Sequence, residues 1–332
     1  MDRFIVGSGR CGSTLLTRML ATCPEVLPVS ELLNGLPDSH RFADAVEGRE
    51  LAGLLSAPNP FVSAVTARGY PVSEVVYPFE RPGARYRTGA PLPWLLVAAL
   101  PTLGLDDPDA LFDETVAWLS ARPSLPAVEH YRALFGFLGE RCGRARWIER
   151  SGSAIDYAGP IAEHFPESRL VHLHREGAEV ALSMREHPSY RLAVALRYNA
   201  EIAPGERAGE LPGLDFAAPP RPGDALARIL ESRPDPALFG RFWSEQVERG
   251  LDALDGLPAG RVLPVSFEDL VDRPQATLAA IAEFLELPEG GWLAEAAGLS
   301  NGMPPRRLPG LAPREAEGLL AACEPVMGRL RS

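Results

Sequence analysis

The stretch that most constrains this chain is Phe4-Ile5-Val6-Gly7-Ser8-Gly9-Arg10-Cys11-Gly12-Ser13-Thr14-Leu15-Leu16. A short β-branched and aromatic run ends in a glycine-rich turn, and an apolar helical pattern (Leu15, Leu16, Met19, Leu20) starts at once. Strand, glycine loop and helix start, in that order, make a phosphate cradle. Glycines let backbone N–H groups converge on an anion, and the helix N-terminus adds partial positive charge. Gly7 to Gly12 followed by Ser13-Thr14 has the spacing of a Walker A loop, but Ser13 stands where that motif needs lysine. That lysine serves β- and γ-phosphates, so its absence argues against an ordinary ATPase or kinase. With the cation moved to Arg10, the loop suits a donor carrying one terminal phospho-group. A mere tight strand-to-helix turn is the plain alternative.

All 33 basic residues are arginine, so any catalytic cation here is Arg or His. The lack of lysine fits a GC-rich, bacterial genome. A net charge of −11 disfavours a surface built for nucleic acid or another polyanion. With 332 residues the chain can bury one large α/β domain with insertions, or two modest domains. The cysteines (Cys11, Cys23, Cys142, Cys323) form no C-x-x-C pair, so neither a zinc knuckle nor a disulfide framework is indicated. Cys11 lies at a helix N-terminus, where a thiol pKa can be lowered; a small filler side chain is the competing reading. The first strand begins almost at Met1, leaving no room for a signal peptide. The apolar run 92–105 contains Pro93 and Pro101 and is too short for a bilayer. The expected location is cytoplasmic and reducing.

Further along, Pro24-Glu25-Val26-Leu27-Pro28-Val29-Ser30-Glu31-Leu32 reads as a short strand running into a loop, which in a doubly wound sheet borders the ligand crevice. Residues 38–125 are rich in Pro, Gly and Ala with apolar helical patches at 42–55, 92–100 and 109–119, and read as an insertion or cap. A helix is expected over 131–142, a strand at 146–150, a helix over 155–165, a strand at 169–175 and a helix over 178–184. Successive βα units imply a parallel sheet. Residues 185–236 are proline-rich and read as a second irregular insertion, a lid or acceptor-binding segment. A helix over 239–254, a strand at 261–267, and helices over 275–285 and 315–329 complete the chain. The fold expected is α/β and P-loop-like: three layers, a central parallel sheet with helices on both faces, and two irregular cap insertions on a single domain of residues 1–332.

Three segments resemble the sulfotransferases that use 3′-phosphoadenosine 5′-phosphosulfate, in that family's order. Gly9-Arg10-Cys11-Gly12-Ser13-Thr14-Leu15-Leu16 resembles the 5′-phosphosulfate loop, in which Lys or Arg precedes a Ser/Gly/Thr run. The strand ending in Arg175, with Ser183 eight residues on, resembles the 3′-phosphate site. Pro264-Val265-Ser266-Phe267-Glu268-Asp269-Leu270-Val271, with the helix through Phe284-Leu285, resembles the family's C-terminal strand–turn–helix. The likeness covers about 1–35, 145–185 and 238–330, and is nearest to the carbohydrate and tyrosyl-protein branch.

The resemblance implies transfer of a sulfuryl group to a hydroxyl of a small-molecule, sugar or lipid acceptor, without a metal. Gly9, Arg10, Cys11, Gly12, Ser13, Thr14 and Leu15 would hold the 5′ end of the donor, and Arg175 and Ser183 its 3′-phosphate. One guanidinium with one hydroxyl is a sensible grip on a phosphate dianion. Arg306 or Arg307, in the C-terminal loop, would close over the same phosphate. Arg10 would neutralise charge developing on the leaving oxygen. Trp147-Ile148-Glu149-Arg150-Ser151 resembles the family's aromatic–x–Glu–Lys–Thr/Ser strand end, with Arg150 in place of lysine and within reach of the sulfuryl group. Glu31 matches the glutamate that the carbohydrate and tyrosyl-protein members use as general base.

Each assignment has a plain rival. Glu31 can be a first-turn acid at a helix start, Arg150 a surface arginine paired with Glu149, and Arg175 a strand-end arginine bridged to Glu176 or Glu179. His172 and His174 share a strand face, but a metal would need further ligands, so core or crevice histidines are expected. Trp243 and Phe239, at helical spacing, are expected in the core. Two other functions remain open on sequence: a kinase with a degenerate Walker loop, or a non-catalytic nucleotide-binding protein.

Overall fold

The computed structural model describes residues 1–331. Five strands form one parallel sheet: β1 (Arg3–Val6), β2 (Val26–Ser30), β3 (Arg146–Arg150), β4 (Arg169–His174) and, beyond a small antiparallel hairpin of β5 (Glu201–Ala203) and β6 (Glu206–Arg207), β7 (Val262–Ser266). Their order is β2-β3-β1-β4-β7. Prolines fall where a ladder tolerates them: Pro28 is in β2 and Pro264 in β7, the two edge strands.

Side chains alternate across each strand, so the sheet is buried on both faces. Phe4, Val6, Leu27, Val29 and Leu170 face one core, which the helix Ala127–Cys142 covers with Tyr131, Leu134, Phe135 and Leu138. Ile5, Val26, Ile148, Val171 and Leu173 face the other, under α1 (Ser13–Leu20) and the helix Pro274–Phe284. The central parallel sheet with helices on both faces is the architecture expected from the sequence. A third core joins Trp243 and Phe239 of the helix Pro236–Asp255 to Val180 and Ala181 of the helix Gly177–Glu186 and to the C-terminal helix Pro313–Arg331.

In the insertions, short helices alternate with irregular stretches. The patch at 42–55 becomes a helix only over Gly48–Ser56, because Val46 instead pairs with Leu125 as an isolated bridge. The patch at 92–100 becomes the single turn Trp94–Val97, following Pro93. Several prolines begin helices rather than break them: Pro60, Pro108 and Pro188 each occupy a first turn, where no N–H is needed. The two insertions share a cluster: Ala64, Val65 and Val72 of the first pack with Leu192, Ala195 and Leu226 of the second.

From β1 the chain moves outward to β2, returns to β3 beside β1, and then crosses to β4 and β7 on the other side. That reversal leaves a crevice beyond the carboxyl end of β1, the usual ligand position in such sheets. Register delivers the neighbours. Ser30 pairs with Arg150, Val6 with His172 and His174 with Ser266, so Glu31, Ser151, Arg175 and Phe267 all follow at that edge. Among the described residues no helix is long and apolar enough to cross a membrane.

Candidate active site

The loop after β1 turns through three left-handed residues, Gly9 (φ 71°), Arg10 (φ 54°) and Gly12 (φ 99°). A Cβ at Gly12 would overlap the Phe267 ring, and one at Gly9 the Tyr190 hydroxyl, so neither position admits a side chain. No side chain caps α1, whose first N–H groups therefore stay available at the loop. They face a cavity of about 350 Å³ lined by Gly9, Arg10, Gly12, Ser13, Thr14 and Leu15 on one side. Glu31, Arg150, Arg175, Ser183 and Arg307 line the same cavity.

Two of the expected residues stand apart. Cys11 is fully buried with Ile5 and Leu16, and burial pushes its thiol pKa up. The lowered pKa expected of a helix N-terminus is thus overridden by desolvation, and the side chain is a core filler. Arg306 lines an adjoining cavity of about 420 Å³, with His174, Glu176 and Met303. Arg175 and Pro304 border both spaces.

Arg150 is buried and ion-pairs with Glu31 rather than with Glu149. Alternation along β3 sends Glu149 to the opposite face, where its Oε1 accepts from Ser151 Oγ at 2.6 Å and its Oε2 has no partner. Burial pushes Glu149 up to about 7, with the Ser151 bond working against it and the Glu31 charge adding to it. Glu31 is held on every side. Its Oε2 accepts from Asn34 Nδ2 at 2.8 Å and from the Gly152 N–H at 2.9 Å. Its own N–H donates to Arg150 O, and Trp94 Nε1 donates to its carbonyl at 2.7 Å. Its φ of 61° is left-handed, so it is not a first-turn helical acid.

Arg175 makes no bridge to Glu176 or Glu179, because both carboxylates are engaged elsewhere. Glu176 caps the helix Gly177–Glu186, and Glu179 accepts the N–H groups of Arg307 (2.9 Å) and Leu308 (3.1 Å), which pins the C-terminal loop. Arg175 lies instead over the Phe267 ring at 4.5 Å. Burial lowers its pKa, and the nearby Arg307 charge lowers it further. Among the described residues no carboxylate stands within ion-pair distance of it, and the charges of Glu268 and Glu179 act on it in the opposite sense to that of Arg307. Arg10 donates from Nε to Ser183 Oγ at 3.3 Å and from Nη1 to Ser73 Oγ at 3.1 Å, and it stands 3.7 Å from Glu74.

Sequence reasoning missed the last group. Ser73 and Glu74 come from the first insertion and His187 and Tyr190 from the second. Glu74 Oε2 lies 3.0 Å from His187 Nε2. Burial pushes Glu74 up, but the His187 bond and charge, together with Arg10, outweigh it and hold the carboxyl at about 2. Tyr190 OH meets Ser153 Oγ at 2.8 Å. No local motif marks these residues; only the fold unites them. His172 is buried, which pushes it down to about 3, with its ring 5.6 Å from that of His174. Among the described residues no group of three or more His, Cys, Asp or Glu is arranged to hold a metal ion.

Comparison with known proteins adds an independent line. Residues 229–291, a span that includes the helix Pro236–Asp255, β7 and the helix Pro274–Phe284, match the model of the Sulfotransferase family. No curated protein matches the sequence. Among solved structures, the sulfotransferase domain from the curacin biosynthetic pathway is similar over 97% of this chain and 97% of its own, at 15% identity and a TM-score of 0.51. The sulfotransferase domain from the Synechococcus PCC 7002 olefin synthase is 18% identical over 98% of this chain and 94% of its own, with a TM-score of 0.46. The first likeness is one of fold, extending over nearly the whole chain.

Proposed function

We propose that the chain, which has the fold of a solved sulfotransferase domain and matches the Sulfotransferase family model over residues 229–291, moves a sulfuryl group from 3′-phosphoadenosine 5′-phosphosulfate to the hydroxyl of a small-molecule acceptor. The observation that carries this reading is that Arg10 and Arg175 face one cavity, so a single donor can reach both. Residues 1–332 would act as one catalytic domain with insertions at about 38–125 and 185–236. Its four free cysteines suit a reducing, cytoplasmic setting.

In this reading the loop N–H groups, Ser13 and Thr14 hold the 5′-phosphate, while Arg175, Ser183 and Arg307 hold the 3′-phosphate. Glu31 takes the acceptor's hydroxyl proton as that oxygen attacks sulfur. A new S–O bond forms to the acceptor. The bond from sulfur to the bridging oxygen breaks, and its electron pair leaves with adenosine 3′,5′-bisphosphate. Arg10 offsets the charge arriving on that oxygen. Arg150 has a double part: it pairs with Glu31 before the reaction, and once Glu31 is protonated its charge is free for the sulfuryl oxygens. Arginines and backbone dipoles supply the positive charge, so the reading calls for no metal.

The test compares thermal stabilisation by adenosine 3′,5′-bisphosphate with that by ADP. A clearly larger shift with the bisphosphate is expected; equal shifts would remove the reason for giving Arg175 and Ser183 to a 3′-phosphate and would favour a kinase-like nucleotide site. Glu31→Gln should lower turnover by about 10²- to 10⁴-fold while leaving bisphosphate binding intact. Undiminished turnover would end the assignment of Glu31 as base.

A further inference from the structure

Asn34 joins the loops after β2 and β3 beside Glu31, yet it is not among the residues that line the donor cavity. It sits in the turn Leu33–Gly35 after β2, while its partners Gly152 and Tyr157 follow β3. Its amide is engaged at both ends. Nδ2 donates to Glu31 Oε2 and to Gly152 O, each at 2.8 Å, and Oδ1 accepts from the Tyr157 hydroxyl at 3.0 Å. Turning the amide over would set oxygen against oxygen at both Glu31 and Gly152, so the Tyr157 bond selects the productive orientation. Tyr157 is held in turn, its ring under the Arg41 guanidinium at 4.2 Å, and Arg41 Nε donates to Leu33 O at 2.9 Å. With the Gly152 N–H at 2.9 Å, Asn34 gives Oε2 two donors. A carboxylate oxygen offers about two lone-pair sites, so Oε2 is full. Oε1 accepts from Arg150 alone among the described residues. The open lone pair of this carboxylate is therefore on Oε1.

We infer that Glu31 takes the acceptor's proton on Oε1, and that Asn34, oriented by Tyr157, is a positioning residue that keeps Oε2 occupied and the carboxylate plane fixed. The inference rests on the reading of Glu31 as base, and adds the atom that works and the residues that aim it. A proton arriving on Oε2 would have to displace one of two N–H donors, whereas on Oε1 it enters the open site beside Arg150. The last torsion of a glutamate is soft, so without Asn34 the carboxylate can turn. A base misplaced by about 1 Å costs about a hundredfold in rate.

The test measures kcat and donor KM with 3′-phosphoadenosine 5′-phosphosulfate and, as probe acceptor, whichever of 1-octanol, 2-naphthol and glucose the parent turns over fastest. Asn34→Ala should lower kcat about ten- to a hundredfold and leave donor KM and stabilisation by adenosine 3′,5′-bisphosphate as in the parent. Tyr157→Phe keeps the ring against Arg41 and removes only the hydroxyl; kcat should fall about fivefold, the worth of one hydrogen bond. The decisive readout is coupling. In a Glu31→Gln background neither change should lower kcat further by more than about twofold, and Tyr157→Phe should add nothing to Asn34→Ala. Loosening of the fold alone would cost the same with or without the Glu31 carboxylate. Undiminished kcat in Asn34→Ala, a rise in donor KM at constant kcat, or equal losses in the two backgrounds would each overturn the inference. Should Asn34→Ala lose bisphosphate stabilisation altogether, Tyr157→Phe carries the same comparison. Undiminished turnover in Glu31→Gln by itself would instead fault the base reading, and the inference would fall with it.

Discussion

Replacing Glu149 by glutamine is expected to remove a pH-dependent loss of stability that is built into the sheet. Glu149 is wholly buried on β3, with one oxygen bonded to Ser151 and the other unpartnered. Burial raises it from 4.5 to about 7 in the folded chain, and unfolding returns it to the lower value. Between those two values the folded state binds more protons than the unfolded state, so stability falls as pH rises. Each unit of difference is worth about 1.4 kcal/mol, giving roughly 3 kcal/mol in all, with the loss complete once pH passes the folded value. Glutamine is neutral throughout and keeps an acceptor for Ser151, so its contribution should not change with pH. Urea unfolding of both proteins from about pH 5 to about pH 8 reads the difference directly: Glu149→Gln should gain on the parent by about 3 kcal/mol across that range. Glu74 does not interfere. Its pKa is depressed to about 2, so its stabilisation is present above its ordinary 4.5 and is lost only as pH falls through the lower value. A gap between the two proteins that stays constant with pH would mean that Glu149 is not the buried, proton-holding carboxyl described.

Three further changes probe the cavity itself. Gly12→Ala drives a Cβ into the Phe267 ring at a left-handed φ; a loss of about 1–3 kcal/mol is expected in thermal unfolding, with weaker bisphosphate binding, and an unchanged melt would show the loop to be looser than described. Arg150→Met leaves the Glu31 carboxylate buried without its cation, which should cost about 3–5 kcal/mol in urea unfolding; a smaller loss than that of Glu31→Gln would count against a buried pair. Arg175→Ala should weaken adenosine 3′,5′-bisphosphate binding about ten- to a hundredfold or more, the worth of one charge-assisted hydrogen bond, in calorimetric titration. An equal loss for ADP would place Arg175 away from the 3′-phosphate.

What the sequence could disclose depended on the range of the physics involved. The cradle is local: a strand, three glycines and an apolar helix within thirteen residues leave few alternatives, and the unbroken apolar run Phe4-Ile5-Val6 already implies burial on both faces. Arg175 and Glu31 were legible because each directly follows a strand, and parallel strands end on one edge. Arg150 was legible as a position but not as a partner. Only the alternation along β3, anchored by the Ser30–Arg150 register, decides between Glu149 and Glu31. The Ser73–Glu74–His187–Tyr190 group was out of reach, since Glu74 and His187 are 113 residues apart and neither sits in a motif. The insertions were obscured by proline, which by composition reads as breakage. At Pro60, Pro108 and Pro188 it marks the first turn of a helix instead.

Strain in the backbone separates the two sides of the cavity. Arg10, Glu31 and Ser153 are non-glycine residues in the left-handed region, a conformation that costs on the order of 1 kcal/mol or more and persists only where the surroundings over-determine it. They follow β1, β2 and β3 respectively, three adjacent strands buried on both faces, and those strands supply the over-determination. The backbone at Arg10 and Glu31 is therefore fixed by the sheet, while the Arg10 guanidinium is held from outside it, by Ser183, Ser73 and Glu74. Glu74 is held differently, through side-chain contacts to Arg10 and His187 from a turn in an insertion. The backbone turns that carry Arg10 and Glu31 thus depend on the sheet, whereas Glu74 depends on contacts between the two insertions and the loop after β1.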